Sequence, residues 1–218
     1  MKRFYWLLAG ITAVGGVAIY MATGRGGEVR VAAPRSPSDT IAMPGWVVGS
    51  DSAPVEVEEY ADFQCPACRN FAILTMPDVM ERLVKTGRVR WRFRDFPLQQ
   101  HQNSLTAHEA AACAGEQGGF WQMHDQLYFN QRDWEFAGNA GKKIRGYAQK
   151  IGVDLAKYDE CVKTHRYLGR ITASAGQGQA RGVSSTPTFI IGTQLLTGSM
   201  PYDALKAIID KATPSKKK

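Results

Sequence analysis

The chain has 218 residues, of which 44% are hydrophobic and 22% are charged, a composition that is typical of a globular protein and argues against global disorder. Its net charge of +7 would suit a nucleic-acid binder, but the positive excess lies at the two ends. Residues 41–215 contain 19 basic and 18 acidic side chains, whereas nucleic-acid binders carry positive charge on the folded body. We therefore expect no nucleic-acid partner, and we interpret the basic tail, 214–218, as a solvated end.

The first 24 residues are typical of a membrane or export signal. Lys2 and Arg3 precede 21 uncharged residues, 4–24, a length that can cross a bilayer as a helix and exceeds the usual core of a cleaved signal peptide, roughly 7–15 residues. We favour a signal anchor that tethers the chain to the inner membrane; the alternative is a signal peptide cleaved near Gly24. Either one predicts a periplasmic or otherwise extracytoplasmic domain. Residues 25–43, rich in Gly, Pro, Ser and Ala, are predicted to be a flexible linker.

Two strands flank one helix in the next part of the chain. Val55–Glu58 alternates and predicts a strand, and a helix should begin near Pro66, bend at Pro77 and end at Gly87. A second alternating segment has Val89, Trp91 and Phe93 on one face and Arg88, Arg90, Arg92 and Arg94 on the other. We predict a solvated arginine face rather than an RNA-binding one, because no exposed aromatic residues alternate with the arginines.

From about Ser104 to Gly182 the pattern becomes helical. We predict helices near 104–115, 119–130, 140–150, 154–164 and 166–180. Strand character returns at Thr188–Ile191, followed by a two-residue turn, Gly192-Thr193, a returning strand at Gln194–Leu196 and a last helix from about Tyr202.

Two of the four cysteines form the motif Cys65-Pro66-Ala67-Cys68 between a predicted strand and a predicted helix. A thiolate at a helix N-terminus is stabilised by the helix dipole and by free amide groups, which lowers its pKa. We therefore predict that Cys65 is the nucleophile of a thiol exchange and Cys68 the resolving thiol. The alternatives are a structural disulfide or half of a zinc site.

A zinc site is disfavoured because structural zinc needs two closely spaced ligand pairs. Cys113 and Cys161 are far apart, and we interpret the four scattered histidines as surface or capping residues: His101, His108, His124 and His165. We expect no metal and no cofactor. In an oxidising compartment Cys113 and Cys161 most simply pair with each other; the alternative is two unpaired buried thiols.

Four stretches, in order, resemble the DsbA-like thiol–disulfide oxidoreductases of the thioredoxin superfamily. They are Glu58–Cys68, Arg94–Leu98, Gly119–Trp121 with His124-Asp125, and Gly182–Phe189. The resemblance implies an α/β thioredoxin-like fold interrupted by an inserted helical domain. The expected boundaries are 44–97 and 183–213 for the two parts of the thioredoxin-like domain and 98–182 for the insertion.

The resemblance also assigns roles to three further residues. Pro187 would be a cis-proline facing the active site, and the backbone of Thr186 would pair with a substrate as an added strand. Glu59 matches the family's buried acid, and it shares the inward phase of Val55 and Val57, so we predict a proton acceptor near Cys68. The alternative is a solvated glutamate at the end of a strand.

The function that follows is the oxidation of thiols in protein substrates, with reoxidation by a quinone-linked membrane partner of the DsbB type, as the family implies. We expect a monomer. The family's strong oxidants often carry histidine where this chain has Ala67, so an isomerase or reductase stays open. A different class of function also stays open, a binding or chaperone module with a structural C-x-x-C.

Overall fold

The computed structural model describes residues 29–31 and 45–214. Its strands form one sheet, and their bounds are β1 (Val29–Val31), β2 (Trp46–Val48), β3 (Val55–Ala61), β4 (Val89–Asp95), β5 (Thr188–Ile191) and β6 (Gln194–Thr197). The order across the sheet is β1-β6-β5-β3-β4-β2. β3 and β4 run parallel, and every other neighbouring pair is antiparallel. β3 thus lies inside the sheet, between β5 and β4.

Nine helices accompany this sheet in the described ranges. They are α1 (Pro66–Leu74), α2 (Met76–Val79, continued by a π-helical turn, Met80–Val84), α3 (Ser104–Gly115), α4 (Phe120–Phe129), α5 (Gln131–Trp134), α6 (Ala140–Lys150), α7 (Leu155–Lys163), α8 (Leu168–Ala180) and α9 (Tyr202–Ala212). The five helices predicted for the helical block are therefore confirmed as α3, α4, α6, α7 and α8, while the short α5 was not predicted. The hairpin from β5 to β6 and the final helix are also confirmed.

The alternation of residues in β3 places the apolar side chains of this strand on one face of the sheet, where a hydrophobic core forms. Val55 and Val57 are buried and pack with Phe71 of α1 and with Leu205 and Ile209 of α9. Apolar residues at every second position place their side chains on one face of a strand. This face of the sheet is therefore closed by the helices that precede β4 and follow β6.

The opposite face corrects one prediction, since its arginines are not simply solvated. The side chain of Arg94 is only 4% exposed, lies 3.7 Å from Glu58 of β3, and donates to Gln177 of α8 at 2.6 Å. Arg181 pairs with the same Glu58 at 3.0 Å. Because α8 covers this face, the arginine at the end of β4 is buried and must be paired, as buried charges are.

The helical segment that follows Cys65 is interrupted at Thr75, two residues before the predicted bend at Pro77. α1 ends at Leu74 and α2 begins at Met76, and Thr75 between them stays in the right-handed helical region with φ of −113° and ψ of −43°. Pro77 then occupies the first turn of α2, where its missing amide is tolerated. As predicted, the helical segment ends before Gly87, whose φ of +74° suits a residue without a Cβ.

Two short edge strands were not predicted. β2 pairs with β4 through Trp46–Val48, and Val29–Val31, inside the segment expected to be a linker, pairs with β6. Within residues 29–31 and 45–214, no helix is both long and apolar enough to cross a bilayer. The predicted signal anchor, 4–24, most of the predicted linker and the tail from 215 onward lie outside the described residues.

A disulfide joins two helices of the helical block. Cys113 of α3 and Cys161 of α7 are bonded, with an S–S distance of 2.02 Å and a Cα–Cα distance of 5.7 Å. Both residues are buried in a core formed largely by α3, α4 and α6. This is the pairing that the sequence favoured over two unpaired thiols.

Candidate active site

The end of β3 brings Cys65 to the N-terminus of α1. The chain leaves the sheet after Ala61, and the amide of Cys65 donates to the carbonyl of Asp62 at 3.0 Å, which closes the turn. Pro66 stands in the first turn of α1, where no intrahelical hydrogen bond is lost. Cys65 is the N-cap residue, so its sulfur lies beside the free amides of the first turn.

The two thiols have opposite electrostatic environments. Cys65 is 6% exposed. Hydrogen bonds from the side chain of Cys68 and, more weakly, from the backbone amides of Cys68 and Ala67 lower the pKa of Cys65 from 9.0 to about 6, although its partial burial opposes the shift. Cys68 is fully buried, and burial raises its pKa well above 9.0. At neutral pH the stable charged sulfur is therefore that of Cys65. Both cysteines are unbonded thiols in this structure.

The turn before Cys65 is held by two buried polar side chains. The carboxylate of Asp62 accepts hydrogen bonds from the amides of Gln64 and Leu98, both at 2.8 Å, and from the hydroxyl of Ser104 at 2.6 Å. The side-chain amide of Gln131 in α5 donates to the carbonyls of Phe63 at 2.7 Å and of Cys65 at 3.1 Å.

Glu59 lies in the interior, as its phase in β3 predicts. It is 1% exposed, and its Oε2 accepts a hydrogen bond from Nε1 of Trp91 at 3.0 Å. Burial raises the pKa of Glu59 from 4.5 to about 7, although the bond from Trp91 opposes the rise. A charge on Glu59 in turn raises the pKa of Cys68. The alternative of a solvated glutamate is therefore excluded.

The loop before β5 faces the first cysteine. The Thr186-Pro187 peptide bond is cis, and the thiol of Cys65 donates to the carbonyl of Thr186 at 3.4 Å. The carbonyl of Pro187 accepts from the amide of Gly198 at 2.8 Å, which fixes the loop to the far end of β6. The structure thus brings Cys65, Cys68, Glu59, Thr186 and Pro187 to one place.

Sequence reasoning missed three residues of this site. Asp62 and Gln131 hold the turn, and Tyr128, fully buried, donates from its hydroxyl to the carbonyl of Asp62 at 3.4 Å. Asp62 carried a usable signal, because an acid between the apolar Ala61 and Phe63 at the end of a buried strand needs partners. Tyr128 and Gln131 carried none, since they lie in the helical block, far along the chain from the motif.

Two of the four histidines differ from their predicted surface or capping role, whereas His165 is exposed as predicted. His108 and His124 are buried, because Nδ1 of His108 bonds to Asp95 at 2.8 Å and both rings pack on Phe63. His101 bonds to Asp62 at 2.8 Å. The described part of the chain contains no group of three or more His, Cys, Asp or Glu side chains that could hold a metal ion.

Comparisons with known proteins agree with this geometry. A family model described as thioredoxin matches residues 42–211. The Na⁺/H⁺ antiporter NhaA 3 of Salinispora tropica is 36% identical over 170 residues, which are 78% of this chain and 25% of the antiporter, so the chain spans about a quarter of that relative. A probable disulfide bond formation protein D of Bacillus anthracis is 27% identical over 169 residues, which are 75% of this chain and 76% of that protein.

A solved structure shows the same fold. The crystal structure of oxidised BdbD from Bacillus subtilis superposes with a TM-score of 0.72 at 22% identity, over 84% of this chain and 97% of that one. Fold and site together define a thioredoxin-fold protein with a dithiol at the start of a helix and a helical block between β4 and β5. The chain belongs to the thioredoxin family, and the DsbA-like resemblance and the fold class inferred from the sequence are confirmed.

Proposed function

We propose that this protein oxidises pairs of thiols in protein substrates outside the cytoplasm, using the disulfide form of Cys65 and Cys68. The observation that carries the proposal is the contrast between the two sulfurs, one with its pKa lowered to about 6 and one with its pKa raised well above 9.0. A low-pKa thiol is a good leaving group in disulfide exchange. A pair of this kind therefore favours its own reduced form and passes its disulfide on.

The exchange begins when a substrate thiolate attacks Sγ of Cys65 in the Cys65–Cys68 disulfide. A bond forms between the substrate sulfur and Cys65, the Cys65–Cys68 bond breaks, and Cys68 leaves as a thiolate. Because burial makes that thiolate strongly basic, it takes a proton, and we assign the buried Glu59 carboxyl, with its pKa of about 7, as the donor.

A second substrate thiolate then attacks the substrate sulfur of the mixed disulfide. The substrate disulfide forms, and Cys65 leaves as a thiolate stabilised by the first turn of α1. Two electrons have passed from the substrate to the Cys65–Cys68 pair. That step leaves Glu59 as a carboxylate, and during reoxidation, when Cys68 must lose its proton to form the disulfide again, Glu59 takes the proton back.

The backbone of Thr186 is the proposed substrate-binding element, beside Pro187. In the dithiol state its carbonyl accepts from the Cys65 thiol. Neither the Cys65 thiolate, favoured at neutral pH, nor Cys65 bonded to a substrate sulfur has a proton to donate, so that carbonyl is then available to an amide of the substrate. An extended substrate segment would then add as a strand beside the loop.

An extracytoplasmic location is supported by the buried Cys113–Cys161 disulfide, because disulfides persist in oxidising compartments. The uncharged segment 4–24 supports export, with membrane tethering as the version we favour. We assign reoxidation of the Cys65–Cys68 dithiol to a quinone-linked membrane partner of the DsbB type, which would take up its two electrons. We propose that the protein works as a monomer.

The decisive experiment compares two substrates. One is a reduced, unfolded protein that regains activity on forming its disulfides, and the other is the same protein with scrambled disulfides. If this protein is an oxidase, its disulfide form, added in stoichiometric amount, should restore the activity of the reduced substrate. It should restore the activity of the scrambled substrate only slowly. Faster rescue of the scrambled substrate would identify an isomerase instead. If a Cys65→Ser variant restored either substrate as well as the wild type does, the rescue would not depend on exchange at Cys65, and a binding or chaperone module would remain.

A further inference from the structure

We propose that Gln131 is a positioning residue for Cys65, by which the helical block sets the oxidising strength of the active-site dithiol. The inference rests on the proposed dithiol chemistry and adds to it a residue that never touches the reacting sulfur. Gln131 acts through the backbone of the turn that carries Cys65.

Both donor hydrogen bonds of the Gln131 side chain go to that turn. Its side chain is 1% exposed, and Nε2 donates to the carbonyls of Phe63 at 2.7 Å and of Cys65 at 3.1 Å. An amide nitrogen has two hydrogens, so both are used. One carbonyl precedes Gln64 and the other follows the Cα of Cys65, so Gln131 holds the short segment that contains the nucleophile on both sides.

The Cys65 carbonyl belongs to the peptide unit between Cys65 and Pro66. Pro66 has no amide hydrogen, so no hydrogen bond can hold this unit from its nitrogen side. The carbonyl accepts from the amide of Arg69 at 3.0 Å within α1, and Gln131 supplies a second donor from outside the helix. Gln131 therefore limits rotation of the peptide unit that joins the nucleophile to the helix.

The orientation of this unit matters to one redox state only. The amides of Ala67 and Cys68 stabilise the Cys65 thiolate, and their direction relative to Sγ depends on how the first turn of α1 is attached to Cys65. In the disulfide the same sulfur carries no charge, so those amides contribute little. Loosening the attachment should destabilise the thiolate more than the disulfide.

The helix that carries Gln131 is itself firmly held. Nε1 of Trp134, fully buried, donates to the carbonyl of Leu127 at 3.0 Å. The side chain of Gln64 donates to the carbonyl of Glu135 at 2.7 Å, and that of Asn103 donates to the same carbonyl at 3.1 Å. These bonds hold the C-terminal end of α5, and Gln131, one turn earlier in the same helix, is thereby held as a support.

The test replaces Gln131 with methionine, which keeps the length of the side chain and removes both donors. We expect the pKa of Cys65, measured from thiolate absorbance against pH, to rise. We expect the equilibrium constant between the protein dithiol and oxidised glutathione to shift about fivefold toward the protein disulfide. This factor corresponds to the loss of one net hydrogen bond. The variant should thus be a weaker oxidant.

Thr75→Val is the matched control. The Thr75 hydroxyl, also buried, donates to the carbonyl of Met200 at 3.0 Å, so the control loses a buried hydrogen bond at the other end of α1. It should lower the free energy of unfolding as Gln131→Met does, while leaving the pKa and the glutathione equilibrium unchanged.

An unchanged pKa and equilibrium in folded Gln131→Met would overturn the inference. Should that variant not fold, Gln131→Asn, whose side chain is too short to reach the turn, is expected to shift both quantities in the same direction. Failure of both variants to fold would assign Gln131 to stability alone and would also overturn the inference. A wild-type Cys65 without a lowered pKa would instead contradict the proposed function, so the two failures are distinguishable.

Discussion

Replacing Glu59 with glutamine should stabilise the protein at high pH, which is the reverse of what removing a surface acid does. Burial raises the pKa of Glu59 from 4.5 to about 7, so the fold favours the neutral carboxyl. Its contribution to stability is fully present below pH 4.5 and is lost as the pH rises through about 7. Above that pH the native state holds a buried carboxylate, at a cost of about 3 kcal/mol. Glutamine stays neutral and can still accept the bond from Trp91.

The measurement is the free energy of unfolding in urea at pH 4 and pH 9, in a Cys65→Ser, Cys68→Ser background that removes the thiol titrations. Glu59→Gln should gain about 3 kcal/mol more at pH 9 than at pH 4. Glu81→Gln, at an exposed position of the π-helical turn, is the control and should show no such gain. Equal effects of Glu59→Gln at both pH values would refute the burial argument.

Three further predictions follow from the thiols. Cys68→Ser should trap mixed disulfides between Cys65 and substrate, visible on non-reducing gels; free substrate alone would contradict the assigned order of attack. Alkylation of the reduced protein should rise with a midpoint near pH 6 and modify Cys65 rather than Cys68, as peptide mapping will test; a midpoint near pH 9 would disprove the lowered pKa. The double change Cys113→Ala and Cys161→Ala opens a disulfide across 48 positions and should cost at most about 4 kcal/mol in unfolding free energy, with exchange retained. Loss of exchange in a folded double variant would show that this disulfide takes part in the chemistry.

The sequence was informative wherever the site depends on local pattern. Cys65 and Cys68 follow a strand and open a helix, and the period of two in β3 placed Glu59 inside. Thr186 and Pro187 precede a short apolar strand, and their role came from the family resemblance. All of these residues lie in, or within a few positions of, a strand or helix that the sequence pattern predicts.

The sequence was uninformative where a residue depends on a distant partner. Arg94 looked solvated because its burial depends on Gln177 of α8, 83 positions away. His108 is buried because Asp95 meets it across the start of the helical block. Gln131 reaches Cys65 from 66 positions away. Such contacts depend on how α3–α8 pack on the sheet. The pattern of apolar and polar residues within one segment does not contain this information.

The reduction potential of the Cys65–Cys68 pair, measured by equilibration with reduced and oxidised glutathione, tests the proposed function most directly. The lowered pKa of Cys65 favours the dithiol over the disulfide, so we predict an oxidising couple, with a reduction potential of roughly −180 to −120 mV. A value of about −270 mV, typical of a reductant, would contradict it.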